Sequence, residues 1–240
     1  MRHLFTPRPQ VALLAACSAI IGIAVPARSV TFQPPGDLAP DETEGAASRE
    51  SQQCASQGDR ALTLIVPDSN NGYTVQARPT FLAYVPPTAA NGAFFSIQDE
   101  SGNQLYETVV SLPEEPGITA IRLPDRAPAL EPGRTYRWFV VPLCAPLDPS
   151  APTAGASVRR LPYRGQLPDA REPLTLEEIE RLAASGLWYD AAFALSELAR
   201  SRPNDPQMQA EWEEMLNSAG LEDIIRGRAA SSPDRQQVSQ

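Results

Sequence analysis

The stretch that decides the fold is LEPGRTYRW, at residues 130–138. A Glu-Pro-Gly turn leads there into a run in which β-branched or aromatic residues alternate with polar ones, the period of a strand with one buried face. Working outward, turn-forming clusters separate similar runs. About seven short strands at this spacing predict an antiparallel β-sandwich. The runs are ALTLIV (61–66), PTFLAYV (79–85), AFFSIQD (93–99), QLYETVV (104–110), GITAIRL (117–123), RTYRWFVV (134–141) and ASVRRLP (156–162).

The motif at residues 130–138 resembles the turn and following strand of immunoglobulin-like and fibronectin-like domains. In those domains a tyrosine hydroxyl bonds back to upstream backbone. The resemblance assigns that role to Tyr136 and places Trp138 in the core. The fold class expected is therefore α+β, with an immunoglobulin-like β-sandwich followed by a helical segment.

The helical segment begins where the period changes from two to 3.6, after a Pro-rich stretch. Thr175 and Glu178 have the spacing of a capping box, and Gly186 interrupts the helical pattern. A third helix opens at Asp205 and stops at Gly220. The positions that resemble part of a tetratricopeptide motif are Gly186, Trp188, Ala191, Leu195, Leu198 and Pro203. A single unit of this kind predicts a helical hairpin plus one packing helix, because a stacked array needs three or more units.

The predicted domain organisation has six parts. Residues 1–27 form a signal peptide, 28–53 a disordered linker, 54–161 the β-sandwich, 162–173 a Pro-rich bridge, 174–227 the helical segment and 228–240 a disordered tail. The linker and tail are assigned from composition: they are rich in Pro, Gly, Ser and charged residues and lack periodicity.

The N-terminus has the features of a secretory signal. Arg2 and Arg8 precede an uncharged apolar stretch, and small residues then favour cleavage after Ala27. A lipoprotein anchored at Cys17 is the less favoured alternative, because the chain stays apolar beyond that cysteine. The apolar stretch is also shorter than the roughly 20 residues that span a bilayer. We expect an exported protein of the periplasm or the extracellular space that does not span the membrane.

The predicted export determines how the cysteines are interpreted, because exported proteins can form stable disulfides. Removal of the signal leaves Cys54 and Cys144, an even pair in an oxidising compartment. Such a pair without a Cys-x-x-Cys motif predicts a structural disulfide. The bridge would close a loop of about 90 residues, for which the chain-entropy model gives roughly 4–5 kcal/mol.

The composition excludes several reaction classes. The chain has a net charge of −9, contains no Lys, and has one His, at position 3. Signal cleavage would therefore leave no His for triad catalysis or for a His-bearing zinc site. The absence of Lys excludes Schiff-base chemistry and the phosphate-binding P-loop lysine. The acidic balance argues against nucleic acid as a partner. We expect no cofactor and no metal site.

A family resemblance covers residues 54–225. Its most specific parts are the strand ending at Cys144 and the segment GLWYDA at residues 186–191. The chain resembles exported proteins grouped as domain-of-unknown-function family 928, found mainly in cyanobacteria. The resemblance implies an envelope or secreted protein and assigns no catalytic residue.

The best candidate site lies in the helical segment. Trp188 and Tyr189 at a helix–helix turn, with nearby Arg181, are residue types that anchor protein interfaces. Alternatively, the two aromatic residues form a hydrophobic plug between sandwich and helices. Asp99 and Glu100 are adjacent in sequence, so on a strand their side chains would point to opposite faces. They would therefore not form a catalytic carboxylate pair unless the turn redirects them.

The function expected is a non-catalytic interaction or structural module that binds another envelope or secreted protein. The alternative is a carboxylate-dependent enzyme such as a polysaccharide-acting hydrolase, for which the sequence shows no clear acid pair.

Overall fold

The computed structural model describes residues 29–36, 62–143, 154–162, 173–222 and 224. The predicted signal peptide, Cys54, Cys144, residues 163–172 of the bridge and the predicted tail lie outside these ranges. Within them the chain forms two sheets and three helices. In chain order the elements are β1 (Thr63–Leu64), β2 (Asn71–Thr74), β3 (Thr80–Val85), β4 (Gly92–Asp99), β5 (Gln104–Ser111), β6 (Gly117–Arg122), β7 (Thr135–Leu143), β8 (Ala154–Arg160), α1 (Leu176–Ala184), α2 (Trp188–Ser201) and α3 (Pro206–Ser218).

The strands are ordered β1-β3-β6 in one sheet and β2-β8-β7-β4-β5 in the other. All neighbouring pairs are antiparallel except β2 and β8, which run parallel. The expectation of a fully antiparallel arrangement is therefore wrong at this pair. The chain leaves the first sheet after β1, turns at Asn70, where φ is +54°, and joins the second sheet beside β8 instead of folding back in a hairpin.

An aromatic cluster joins the two sheets. The ring of Phe81, on β3, lies 4.5 Å from the ring of Trp138, on β7, and 5.5 Å from the ring of Phe95, on β4. All three side chains are completely buried. Because β3 belongs to one sheet and β4 and β7 to the other, the two sheets share one hydrophobic core.

The turn before β7 has the tyrosine contact that the sequence predicts. The Tyr136 hydroxyl accepts a hydrogen bond of 2.9 Å from the backbone N–H of Glu131, and Gly133 supplies a positive φ of +84°. Trp138 is buried, as expected. Both residue assignments are confirmed.

The three predicted helices are present, with the expected ends. The Thr175 hydroxyl accepts from the Glu178 N–H, and the Glu178 carboxylate accepts from the Thr175 N–H at 2.8 Å, which completes the capping box. Asp205 caps α3 by accepting from the Gln207 N–H. Helix α1 packs against α2, and α2 packs against α3 and the strands β2 and β3.

Residues 29–36, which we name the strap, correct the prediction of a disordered linker over 28–53. Val30 and Phe32 are buried in the same core as the sheets and helices, while Ser29, Thr31 and Gln33 are exposed. The composition-based prediction of disorder is wrong here because two apolar side chains, spaced two residues apart, suffice to dock a short extended segment on the surface that the rest of the fold provides. Residues 37–53 lie outside the described part of the chain.

No helix in the described residues is long and apolar enough to cross a bilayer.

Candidate functional site

The candidate site is the segment 186–191, which comprises part of the turn between α1 and α2 and the first residues of α2. Gly186 follows the end of α1 with a φ of +73°, a left-handed conformation that favours glycine. A Cβ at this position would also lie 2.6 Å from Cγ of Pro35 in the strap. Glycine is therefore required at position 186 for two reasons, the left-handed turn and the close approach of the strap. This turn allows α2 to begin at Trp188.

Trp188 fills the space between the strap and the first sheet. Its side chain has no exposed surface, and its indole N–H donates a 2.9 Å hydrogen bond to the backbone carbonyl of Ile65, just after β1. The Phe32 ring packs edge-on against it at 4.9 Å. Both the apolar and the polar parts of Trp188 are thus satisfied inside the molecule.

Tyr189 connects α2 to two strands of the second sheet. Its hydroxyl accepts from the Trp138 indole N–H at 2.9 Å and donates to the Ser157 carbonyl at 2.8 Å. Its ring lies edge-on to Phe81 at 5.4 Å. Burial strongly raises the pKa of the Tyr189 hydroxyl, although the hydrogen bond from Trp138 opposes this, so the group stays protonated and acts as a bridging donor and acceptor.

Asp190 holds the end of β2. One carboxylate oxygen accepts from the Thr74 hydroxyl at 3.1 Å, and the other accepts from the Val75 N–H at 3.0 Å. Burial raises the pKa of Asp190 from 3.8 to about 7, although these hydrogen bonds favour the ion. Asp190 consequently changes charge near neutral pH.

Gly72, on β2, permits the close approach of this segment. A Cβ on Gly72 would lie 2.9 Å from Cε2 of Tyr189 and 3.0 Å from Cβ of Trp188. Asn-Gly is unusual inside a strand and is typical of a turn, so its occurrence here does not by itself predict a buried strand. The approach of α2 to β2 was therefore missed.

The structure brings together only two of the three predicted contact residues. Trp188 and Tyr189 are 0% and 3% exposed, so their assignment as partner contacts is wrong: side chains with almost no accessible surface cannot anchor a second protein. The alternative role, an internal hydrophobic plug, is confirmed for both. Arg181 lies apart from them on the exposed side of α1, where its guanidinium donates to the carbonyl of Glu177.

The adjacent acids Asp99 and Glu100 close the β4–β5 hairpin. Asp99 accepts from the N–H groups of Ser101 and Asn103 at 2.9 Å, and the Asn103 amide is the main reason that the pKa of Asp99 is lowered. Glu100 accepts from the backbone N–H of Thr135. Both carboxylates therefore have structural contacts.

Two further observations define what the described residues can do chemically. Within the described ranges, no group of three or more His, Cys, Asp or Glu side chains is placed to hold a metal ion. Glu211, on α3, is buried and its carboxylate accepts from the Val30 N–H at 2.8 Å. This contact could not be found without knowing that the strap docks.

The fold and site define a β-rich protein in which three helices pack on two sheets through a buried segment. The chain belongs to the family described as Domain of Unknown Function (DUF928), whose model matches residues 44–228. This confirms the family resemblance seen in the sequence. A comparison with curated proteins finds no match.

Several solved structures are similar to part of the chain. CopC from Methylosinus trichosporium OB3b is 13% identical with a TM-score of 0.31, and the match covers 45% of this chain and 100% of CopC. The fn3 domain of human collagen alpha-1(XX) chain is 16% identical with a TM-score of 0.27, covering 47% of this chain and 98% of that domain. The CARDB domain of the PF1109 protein from Pyrococcus furiosus, in complex with di-metal ions, is 16% identical with a TM-score of 0.25, covering 43% and 94%.

Proposed function

We propose that this chain is an exported, non-catalytic interaction or structural module that contacts another envelope or secreted protein. The observation that carries the proposal is the internal pairing of the candidate site. The side-chain polar groups of Trp188, Tyr189 and Asp190 all bond to the sheets or to the segments beside them. A site whose polar groups are used in this way supports a structural joint rather than a reaction centre.

The proposal includes an immunoglobulin-like sandwich, a tetratricopeptide-like hairpin, export and a disulfide. The immunoglobulin-like sandwich is supported by the shared aromatic core and by the Tyr136 contact. The tetratricopeptide-like hairpin is supported by the packing of α1 on α2 around Gly186. Export is supported by the N-terminal sequence, and the disulfide between Cys54 and Cys144 by their being the two cysteines that remain after the predicted signal cleavage.

The partner surface is assigned to the exposed side of α1 at Arg181. With the two aromatic residues in the core, Arg181 is the remaining residue of the predicted contact set that a partner can reach. Arginine is among the residues that most often anchor interfaces, because its guanidinium makes several directional hydrogen bonds.

The test is recovery of an envelope protein on the immobilised mature chain, residues 28–240. Arg181→Ala is expected to reduce recovery at least fivefold, whereas Arg134→Ala, an exposed arginine on a turn outside the helices, is the matched control and leaves it unchanged. Single replacements of Asp99, Glu100 or Glu178 also leave recovery nearly intact. Equal recovery by wild type and Arg181→Ala contradicts the assignment of the surface.

The alternative, a carboxylate-dependent hydrolase, is favoured by one observation. A carboxyl with a pKa of about 7, as in Asp190, is the kind of group that serves as a general acid. Such an enzyme also needs a second carboxyl about 5–10 Å away across an open cleft. If the mature chain hydrolyses an envelope polysaccharide, and Asp190→Asn abolishes this while the protein stays folded, the module proposal is overturned.

A further inference from the structure

The strap is held in the way that proteins hold a separate peptide. It is extended, its alternate side chains Val30 and Phe32 enter the core, and the residues between them face outward. An extended segment with alternate buried side chains and backbone hydrogen bonds is a recurrent mode of peptide recognition. Here the ligand belongs to the same chain.

The receptor groups all come from the helices. The Val30 N–H donates to the Glu211 carboxylate and the Phe32 N–H to the Ser218 hydroxyl, both at 2.8 Å. The Gln33 N–H donates to the carbonyl of Ala183 at 3.2 Å. The fourth member is Trp188, against which Phe32 packs. We name Ala183, Trp188, Glu211 and Ser218 the strap site.

The docked strap satisfies a buried acceptor of the strap site. With the strap in place Glu211 is only 7% exposed, and the Val30 N–H donates to its carboxylate. A buried acceptor without its donor is costly. The site therefore selects an occupant that has apolar residues two positions apart and free backbone N–H groups on both of them and on the residue that follows.

The connection between the strap and β1 is long. Residues 37–61 lie between the strap and the first described residue of the β-domain. A chain of this length can span at most about 80–90 Å, and linking two groups within one molecule gives an effective concentration on the order of millimolar. The same segment of a neighbouring molecule competes when the protein itself approaches that concentration.

We propose that the strap site is an exchangeable peptide-docking site and that residues 29–36 of a second copy of this chain are its alternative occupant. Each strap then docks on the helices of the other copy, giving a closed dimer with the same contacts as the monomer. Exchange of an identical element between copies is a low-cost route to a dimer, because no new interface has to be formed. The chain is monomeric when dilute and exchanges straps when concentrated.

Complementation between two full mature chains (residues 28–240) tests the proposal. Phe32→Ala impairs the strap and leaves the site intact, whereas Glu211→Ala impairs the site and leaves the strap intact. When the two variants are refolded together at about 1 mM, a heterodimer can combine the intact strap of one with the intact site of the other. Native mass spectrometry is expected to show at least five times more heterodimer than either homodimer, and part of the mixture melts at a higher temperature than either variant alone.

The control is a mixture of two differently tagged Phe32→Ala chains, which should give no enrichment. A mixture that melts as the sum of its components, without heterodimer, overturns the proposal. If either variant fails to fold, the test compares the dimer fraction of the wild type refolded at about 10 µM and at about 1 mM. At least a tenfold rise in non-covalent dimer fraction at the higher concentration supports exchange, and monomer at both concentrations refutes it.

Discussion

Trp188 provides the sharpest test of the packing, because its contacts can be removed in two steps. Trp188→Ala removes a completely buried indole that touches Phe32 and bonds to Ile65. Truncating a buried Trp to Ala costs about 3–5 kcal/mol, since transfer energy is lost and a cavity remains. With a urea dependence of about 2 kcal/mol per molar, the unfolding midpoint should fall by about 1.5–2.5 M.

Trp188→Phe separates the hydrogen bond from the packing. The ring is largely kept, but the carbonyl of Ile65 loses its indole donor, and we expect a cost of about 1–3 kcal/mol. Trp212→Phe is the matched control: Trp212 is also buried, yet its indole N–H has no partner among the described groups. Losing that donor removes no bond, so Trp212→Phe should cost less than about 1 kcal/mol.

The assay is equilibrium urea unfolding of the mature chain, followed by intrinsic fluorescence and by far-ultraviolet circular dichroism. The exposed Val109→Ala variant sets the baseline for a surface substitution. A Trp188→Ala variant within about 1 kcal/mol of wild type, or equal costs for the two Trp→Phe variants, would refute the account of how Trp188 is held.

Three further predictions concern other contacts of the molecule. Tyr189→Phe removes a buried hydroxyl with two hydrogen bonds and should lower the free energy of unfolding by about 2–4 kcal/mol, measured by urea titration. Because burial raises the pKa of Asp190 from 3.8 to about 7, its protonation stabilises the fold most below the lower value, and this contribution is lost as the pH rises through the upper one. Wild type should therefore lose on the order of 2 kcal/mol between pH 5 and pH 8, and Asp190→Asn should lose much less, which melting curves at the two pH values can check. Thiol labelling of non-reduced mature protein should find no free sulfhydryl at Cys54 or Cys144, and stoichiometric labelling would contradict the predicted bridge.

Local signals in the sequence were sufficient for most elements. The period-two runs predicted seven of the strands, because alternation reports one buried face wherever the partner strand lies. Thr175 and Glu178 marked the start of α1, because a capping box is closed by residues three apart. Tyr136 could be assigned from the resemblance of residues 130–138 to an immunoglobulin-like turn, and its bond to Glu131 likewise spans a short distance in sequence.

The elements missed depend on contacts between distant parts of the chain. The strand β2 is four residues long and includes Asn-Gly, and its burial comes from β8 and α2 rather than from its own pattern. The strap offers only two apolar residues, and its donors reach Glu211 and Ser218 more than 180 positions away. No local periodicity reports such pairs.

For the segment 186–191 the sequence leaves two roles open, a partner contact and a buried plug, and the structure buries Trp188 and Tyr189. The segment 186–191 was recognised as unusual because large aromatics follow a glycine at a helical turn. The same residue types suit a binding surface and a buried joint. The internal hydrogen bonds of the segment distinguish the two roles. The Trp138 indole donates to the Tyr189 hydroxyl. The carbonyls of Ser157 and Ile65 accept from Tyr189 and Trp188.

The central claim is that the segment 186–191 makes the helices and sheets one cooperative unit. Native-state hydrogen exchange of the mature chain tests it most directly, by comparing the opening free energies of amides in α2 and in β7. The account predicts values that agree within about 1 kcal/mol, because both elements should open only when the shared core unfolds. Helices that open several kcal/mol more easily than β7 would contradict it.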